Sequence, residues 1–353
     1  MKISVCMMVK NEEALLPIAI ASVQGLADEI IVVDTGSTDD TVRLAGEYGC
    51  KVLTGGDRRH KAQERNRGIE AASGNWVVIL DADERIADPV YLRQAIETTA
   101  ADGLYIQVHF MDATNRPTLK YQLLRVFKRG LYEYKYRAHE TPIAVEVDQK
   151  EQTVPVVFEH RPPPNRSWKR EHLLMLLLMD VEENQGDFRS QYYLAREYYY
   201  MGAWNAALEA TARLGVCPLA RNENDLTEAF AFSAECYWNL GRRQEALSAI
   251  GMAIQRQPQR REWRGRLAEY MLDMGEAKRA SDVVIQALQL PEPTSGYVDP
   301  RWYGAHIYDL AARCYWSDGH PGLGLHYAQR AVELAPDDDR LRENLRWFES
   351  VEA

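Results

Sequence analysis

Three consecutive prolines, Pro162-Pro163-Pro164, separate two hydrophobic periods that one architecture cannot hold. Each proline lacks a backbone N–H and fixes φ, so the run belongs neither to a central strand nor to a helix interior. Before it, short apolar runs alternate with amphipathic stretches, the pattern of strands and helices laid on a sheet. After it, apolar residues recur at the helical period. The chain therefore reads as an α/β domain over residues 1–165, a helical linker over 166–190 and an all-α domain over 191–353.

In the first part, Ile3 to Val9 reads as a buried strand, followed by a helix from about Glu13 to Leu26. A second strand, Glu29 to Val33, ends at Asp34. Ser37 or Thr38 is placed to cap a helix running to Tyr48, with acids in its first turn and Gly49 closing it. A strand at Lys51–Leu53, a basic helix from Lys61 to Ala72 and a fully apolar strand from Trp76 to Leu80 follow. Further strands read at 104–110, 123–127 and 154–159. Short loops between alternating elements predict a doubly wound, Rossmann-like, mostly parallel sheet. Ligands of such sheets gather outside the carboxyl ends of the strands. Asp81 and Asp83 stand at one such end. Two carboxylates there suit a divalent cation carrying a diphosphate, and equally suit a solvated strand end followed by a helix cap.

The second part repeats. Ala195, Tyr198, Gly202 and Ala207 recur as Ala234, Tyr237, Gly241 and Ala246, then as Ala268, Met271, Gly275 and Ala280. A fourth copy, Ala312, Tyr315 and Gly319, ends in Gly324 rather than alanine. Small residues let two helices approach closely, the glycine turns the chain between them, and Pro258, Pro291 and Pro336 end the second helices. The set resembles the tetratricopeptide repeat, about four copies of a unit of about 34 residues. The glycines step by 39, 34 and 44 residues, so two connections carry insertions. Such arrays stack into a superhelix whose groove commonly takes peptides.

Four motifs of the first part fall in order at the strand–helix junctions: Met8-Val9-Lys10-Asn11-Glu12, Val33-Asp34-Thr35-Gly36-Ser37-Thr38-Asp39, Arg65-Asn66-Arg67-Gly68 and Leu80-Asp81-Ala82-Asp83. Together they resemble the family-2 glycosyltransferases of the GT-A fold. Lys10 stands where that family often has tyrosine, and Thr35 where it has a second aspartate; both look like the subgroup that joins this domain to tetratricopeptide repeats. The resemblance implies an inverting, metal-dependent transferase using a UDP-sugar. Val9, Asn11, Glu12 and Ala82 would then line the nucleotide-sugar site. Asp34 would accept from uracil N3–H, Arg65 would sit near base or diphosphate, Asp81 would contact ribose, and Asp83 would hold Mn²⁺ or Mg²⁺ with His160. Arg137-Ala138-His139-Glu140 resembles a His-Glu segment of the same subgroup and of lipopolysaccharide-core glucosyltransferases. It makes Glu140 the expected general base, with Asp112 as the alternative. Lys169-Arg170 is placed to close over the diphosphate or to lie on the surface.

Net charge is −10, so there is no global attraction to nucleic acid or anionic lipid. Arg256, Arg260, Arg261, Arg264 and Arg266 form a local basic cluster, either a solvated helix face or a nucleic-acid footprint. Five scattered cysteines without a C-x-x-C pair, and no apolar stretch long enough to span a bilayer, predict a cytoplasmic protein without a transmembrane segment. Homo-oligomers through the repeats are a further expectation. The repeats favour a peptide or protein acceptor, followed by a glycan and then a hydroxymethylated DNA base. A scaffold with a degenerate transferase domain is the non-enzymatic reading. A nucleotidyltransferase is disfavoured because Val9-Lys10-Asn11-Glu12-Glu13 lacks the Gly-rich first turn.

Overall fold

The computed structural model describes residues 1–56, 59–162, 170–215, 217, 223–293 and 298–352. The chain divides into two compact units, Met1–Glu183 and Asn184–Ala353. The division falls inside the segment read as a linker. Lys169 and two of the three prolines lie outside the described residues.

Among the described residues the first unit has ten strands. They are β1 Ile3–Val9, β2 Glu29–Asp34, β3 Lys51–Leu53, β4 Trp76–Ile79, β5 Glu84–Ile86, β6 Gly103–Met111, β7 Pro117–Lys128, β8 Tyr132–Lys135, β9 Thr141–Ala144 and β10 Glu151–His160. Its helices are α1 Leu16–Ala21, α2 Thr41–Glu47, α3 Lys61–Ala71, α4 Pro89–Thr98 and α5 Arg170–Glu183. Eight strands form one mixed sheet in the order β3-β2-β1-β4-β7-β6-β10-β5, and β8 pairs with β9 separately. Pairings among β1–β4 and between β10 and β6 are parallel; β7 runs antiparallel to β4 and β6, and β5 antiparallel to β10.

Although β1 is apolar apart from Ser4, its residues alternate between two cores. Ile3, Val5, Met7 and Val9 meet Leu16, Leu92 and Ile96 on one face. On the other face Cys6 packs with Ile31, Ile69, Val77, Ile79 and Phe127. The strand is buried on both sides, as a central strand between helical layers must be.

Two local expectations fail. The helix expected from about Glu13 to Leu26 shortens to six residues: Pro17 sits in its first turn, and the chain turns at Gly25, φ +81°. Neither Ser37 nor Thr38 caps α2, which starts at Thr41 with no acid in its first turn. Both residues serve the loop after β1 instead: Asn11 N–H donates to Ser37 Oγ at 2.9 Å, and Thr38 N–H to Asn11 Oδ1 at 2.7 Å. β5, α4 and the β8–β9 pair were not foreseen.

Among the described residues the second unit holds four helical pairs, α6 Phe188–Tyr200 with α7 Trp204–Leu214, α8 Glu223–Asn239 with α9 Arg243–Arg256, α10 Arg261–Asp273 with α11 Ala277–Leu288, and α12 Ala305–Ser317 with α13 Pro321–Leu334, followed by α14 Asp339–Glu352. The repeat glycines 202, 241, 275 and 319 all occupy the left-handed region, φ +72° to +77°, which an L side chain resists. Ala195, Ala234, Ala268 and Ala312 are wholly buried. At Gly324 a Cβ would stand 3.2 Å from Ala312 O and 3.3 Å from Trp316 N, so alanine here would need the facing backbone to give by a few tenths of an ångström. The insertions fall between α7 and α8 and between α11 and α12, where Pro300–Tyr303 forms a 3₁₀ turn.

The basic cluster of this unit is structural. Arg260 and Arg261 are buried; Arg260 pairs with Glu262 at 2.6 Å, and Arg261 donates to the carbonyls of Trp302, Leu288 and Leu290. Arg256 pairs with Glu223, Arg264 with Pro258 O, and Arg266 with Glu269. Neither the solvated face nor the nucleic-acid footprint describes Arg260 and Arg261. Among the described residues no helix is long and apolar enough to cross a membrane.

Candidate active site

The parallel half of the sheet brings the ends of β1 and β4 side by side, and a cleft of about 120 Å³ opens there. Met8, Val9, Lys10, Glu12, Thr35, Lys61, Arg65, Asp81, Ala82, Asp83, Glu140 and His160 line it. Eight expected residues thus share one wall. Asn11, Asp34 and Asp112 are not among the described lining residues. Asn11, held at φ +55°, ties two loops together. Asp34 turns its carboxylate onto its own loop, accepting from Gly36 N at 3.1 Å and Ser37 N at 3.1 Å. Asp112 closes the β6–β7 hairpin, accepting from Thr114 N and Arg116 N at 2.7 and 3.0 Å.

Strand register explains the arrival of His160. In the β10–β5 pairing it lies opposite Glu84, one residue beyond Asp83. Arg161 N–H then donates to Asp83 O at 2.7 Å, and His160 Nε2 stands 3.2 Å from Asp83 Oδ2. Phe110 flanks the ring at 4.5 Å. Burial opposes the charged imidazole, but Asp83 outweighs it and raises the His160 pKa.

Asp81 and Asp83 face different partners. Asp81 Oδ1 accepts from Arg65 Nη2 at 2.7 Å and Oδ2 from Arg125 Nη2 at 3.2 Å. Burial acts to raise its pKa, yet the two guanidiniums hold the carboxyl far below the usual range. Arg125 also pairs with Glu84, 3.1 Å away, whose pKa burial raises. Glu84 Oε2 in turn accepts the Asp81 N–H at 3.0 Å. Arg65 sends Nε to Glu140 Oε1 at 2.9 Å. Its remaining nitrogen, Nη1, is buried without a hydrogen-bond partner among the described residues. Burial opposes ionisation of Glu140, but Lys61 and Arg65 prevail and keep its pKa below the ordinary value.

Asp83 and His160 fit a divalent cation as a two-ligand set, one carboxylate and one imidazole on the open cleft. Among the described residues no group of three or more His, Cys, Asp or Glu is arranged for a metal. An ion here would take its other ligands from phosphate and water, the way Mg²⁺ is commonly held at phosphoryl sites.

Residues 4–151 match the model of Glycosyl transferase family 2. The likeness to this family is carried by the N-terminal domain. An uncharacterized glycosyltransferase of Rickettsia typhi is 41% identical over 86 residues, 24% of this chain and 29% of the relative. A TPR repeat-containing protein of Synechococcus elongatus is 45% identical over 85 residues, 24% of this chain and 21% of the relative. The alignments thus span under a third of these relatives' own lengths. A thermophilic TPR protein of Thermus thermophilus is 24% identical in structural superposition, with TM-score 0.36, covering 51% of this chain and 90% of that one.

Sequence reasoning missed Glu84, Lys10 and Lys61 as site residues and gave Arg125 no role. Lys61 opens a helix already read as basic, and Glu84 directly follows Asp83. Leu124-Arg125-Val126-Phe127-Lys128 resembles a stretch of the repeat-bearing subgroup, but the contact of Arg125 with Asp81 follows only from the antiparallel insertion of β7 beside β4.

Proposed function

We propose that the first unit is an inverting glycosyltransferase that moves a sugar from a UDP-sugar to an acceptor, with a peptide or protein side chain as the acceptor. The observation that carries this reading is the meeting of Arg65, Asp81, Asp83, Glu140 and His160 on one strand-end cleft in a family 2 domain. Lys10, Lys61 and Arg65 supply positive charge for a diphosphate, and the unpartnered Nη1 of Arg65 is a donor awaiting an acceptor. Asp83 and His160 would hold Mn²⁺ or Mg²⁺, which supplies Lewis-acid neutralisation of the leaving diphosphate. Glu140 is ionised at neutral pH and can take the proton of an attacking hydroxyl or thiol. Asp81, drawn between two arginines, sets the position of Arg65 as much as it contacts a ribose.

The acceptor assignment is supported by the second unit. A cavity of about 270 Å³ is lined chiefly by α6, α8 and α10, the first helices of three successive pairs, with Ile250 of α9 and the turn before α12. It offers aromatic faces (Tyr199, Phe232, Trp263) beside Arg196, Glu228 and Glu235, a surface suited to an extended peptide with mixed charge. The ion pairing of Arg256, Arg260 and Arg266 within the fold weighs against a DNA base as acceptor.

Calorimetry with UDP, with and without Mn²⁺, tests the donor site; metal-dependent UDP binding is expected. A UDP-release screen across UDP-sugars, followed by mass spectrometry of the acceptor labelled in native lysate, tests the rest. Absence of metal-dependent UDP binding would favour the scaffold reading, and a labelled glycan would replace the peptide.

A further inference from the structure

We propose that Asp180 of α5 is a positioning residue for Glu140, so that the catalytic apparatus extends beyond the last strand into a helix outside the family match. This rests on Glu140 being the base. The loop from β8 to Glu140 has two non-glycine residues in the left-handed region, Tyr136 at φ +76° and His139 at φ +52°. Such a backbone persists only where its surroundings over-determine it. One end is fixed by α3: Tyr134 N–H donates to Asn66 Oδ1 at 2.8 Å, and Asn66 Nδ2 donates to Tyr134 O at 3.0 Å. The middle is fixed by Asp180. Its carboxylate accepts the successive amides of Arg137 at 3.0 Å and Ala138 at 3.3 Å. Successive N–H groups beside a left-handed residue form an anion-binding nest, and here the anion is a side chain only 2% exposed. Arg137 Nη1 reaches the same carboxylate at 3.2 Å and also joins Glu183.

Removing the carboxylate leaves two loop amides without their acceptor, three and two residues before Glu140. The loop then loses the contact opposing its strained backbone, and the Glu140–Arg65 geometry loosens. Arg65 keeps its 2.7 Å bond to Asp81 when the loop loosens, so its place toward the diphosphate, and with it donor binding, is expected to hold.

The test uses the full-length protein with Asp180→Ala, Asp180→Asn and, as control, Glu183→Gln, which spares the amides. For Asp180→Ala we expect kcat for transfer to fall about a hundredfold, the scale of a ~1 Å misplacement, with KM for the donor and UDP affinity unchanged. Hydrogen exchange should accelerate in 136–140 and remain unchanged in α3 and β1. Asp180→Asn, which keeps one accepting oxygen, should fall between, and Glu183→Gln should stay near wild type. Unchanged exchange at 136–140, unchanged kcat, or a kcat loss matched by a global fall in protection would each overturn the proposal. The exchange arm reads independently of turnover. An inactive wild type would sink the transferase reading alone, while unaltered exchange in Asp180→Ala would sink the positioning role.

Discussion

Replacing Glu140 by Gln separates what its charge does for stability from what it does for transfer. The side chain is 9% exposed and accepts from Arg65 Nε at 2.9 Å. Gln keeps the shape and one accepting oxygen but removes the charge. A hydrogen bond to a charged group contributes about 1.5–3 kcal/mol. Breaking a buried ion pair outright costs about 3–5 kcal/mol. The lower range applies here, because Arg65 retains Asp81 at 2.7 Å. We therefore expect Glu140→Gln to lose about 1.5–3 kcal/mol at pH 7. The pH dependence has a definite sign. The Glu140 carboxyl is held below its ordinary value in the folded state, so its contribution is complete above the unfolded value, about 4.3. It disappears as pH falls through the depressed folded value. Urea titrations of both proteins from pH 7 to pH 3 should show a gap that is constant down to about 4.3 and closes below. In the same variant, transfer should fall about 10²–10⁴-fold with UDP affinity retained. A gap that persists unchanged at the lowest pH would refute the electrostatic account, and an unaltered transfer rate would move the base elsewhere.

Asp83→Ala should abolish Mn²⁺-dependent UDP binding in calorimetry while leaving the circular dichroism spectrum intact; retained metal dependence would sink the Asp83–His160 pair as the ion's ligands. Arg125→Met should destabilise the first unit by about 3–5 kcal/mol in urea unfolding at pH 7, because Glu84, 1% exposed, loses the cation that offsets its burial. In the repeats, two glycine substitutions should act with opposite sign. Gly251→Ala in α9 meets open space and should gain about 0.5–1 kcal/mol, whereas Gly265→Ala in α10 drives a Cβ into the Trp302 ring and should lose about 1–3 kcal/mol despite the better helix propensity. Thermal unfolding of the two variants beside wild type decides it, and a stabilised Gly265→Ala would refute the packing argument.

The repeats were legible because their constraints are local. A glycine at φ +72° to +77° and a buried alanine on each facing helix are needed within one helical pair, and each pair restates them. Even the exception is readable after the fact: Gly324 replaces alanine where the backbone of α12 comes within 3.3 Å of a Cβ. The strand–helix order of the first unit was legible for the same reason, since buried strands and short loops leave a periodic trace. The antiparallel strands were less so. β5 is three residues long, and β8 and β9 are four each, too short for a period to declare itself.

Residue type announced a site, while orientation decided which residues make it. Asp34 and Asp112 have the chemistry expected of them, but each is two to four residues from backbone amides that its carboxylate can close onto, and both do so. Asp81 and Asp83 avoid that fate because the chain on either side offers partners from other elements. Arg65 arrives from α3, Arg125 from β7, and His160 from the end of β10. The consequence reaches the chemistry. Both Asp81 oxygens already accept from guanidinium groups, so a ribose hydroxyl can add to Asp81 only as a donor to a remaining lone pair, whereas Asp83 lies beside the His160 imidazole, whose pKa it raises. A pair of carboxylates one residue apart is thereby divided: one holds cations that are part of the protein, and the other, beside His160 on the cleft, is the one we propose for a divalent cation.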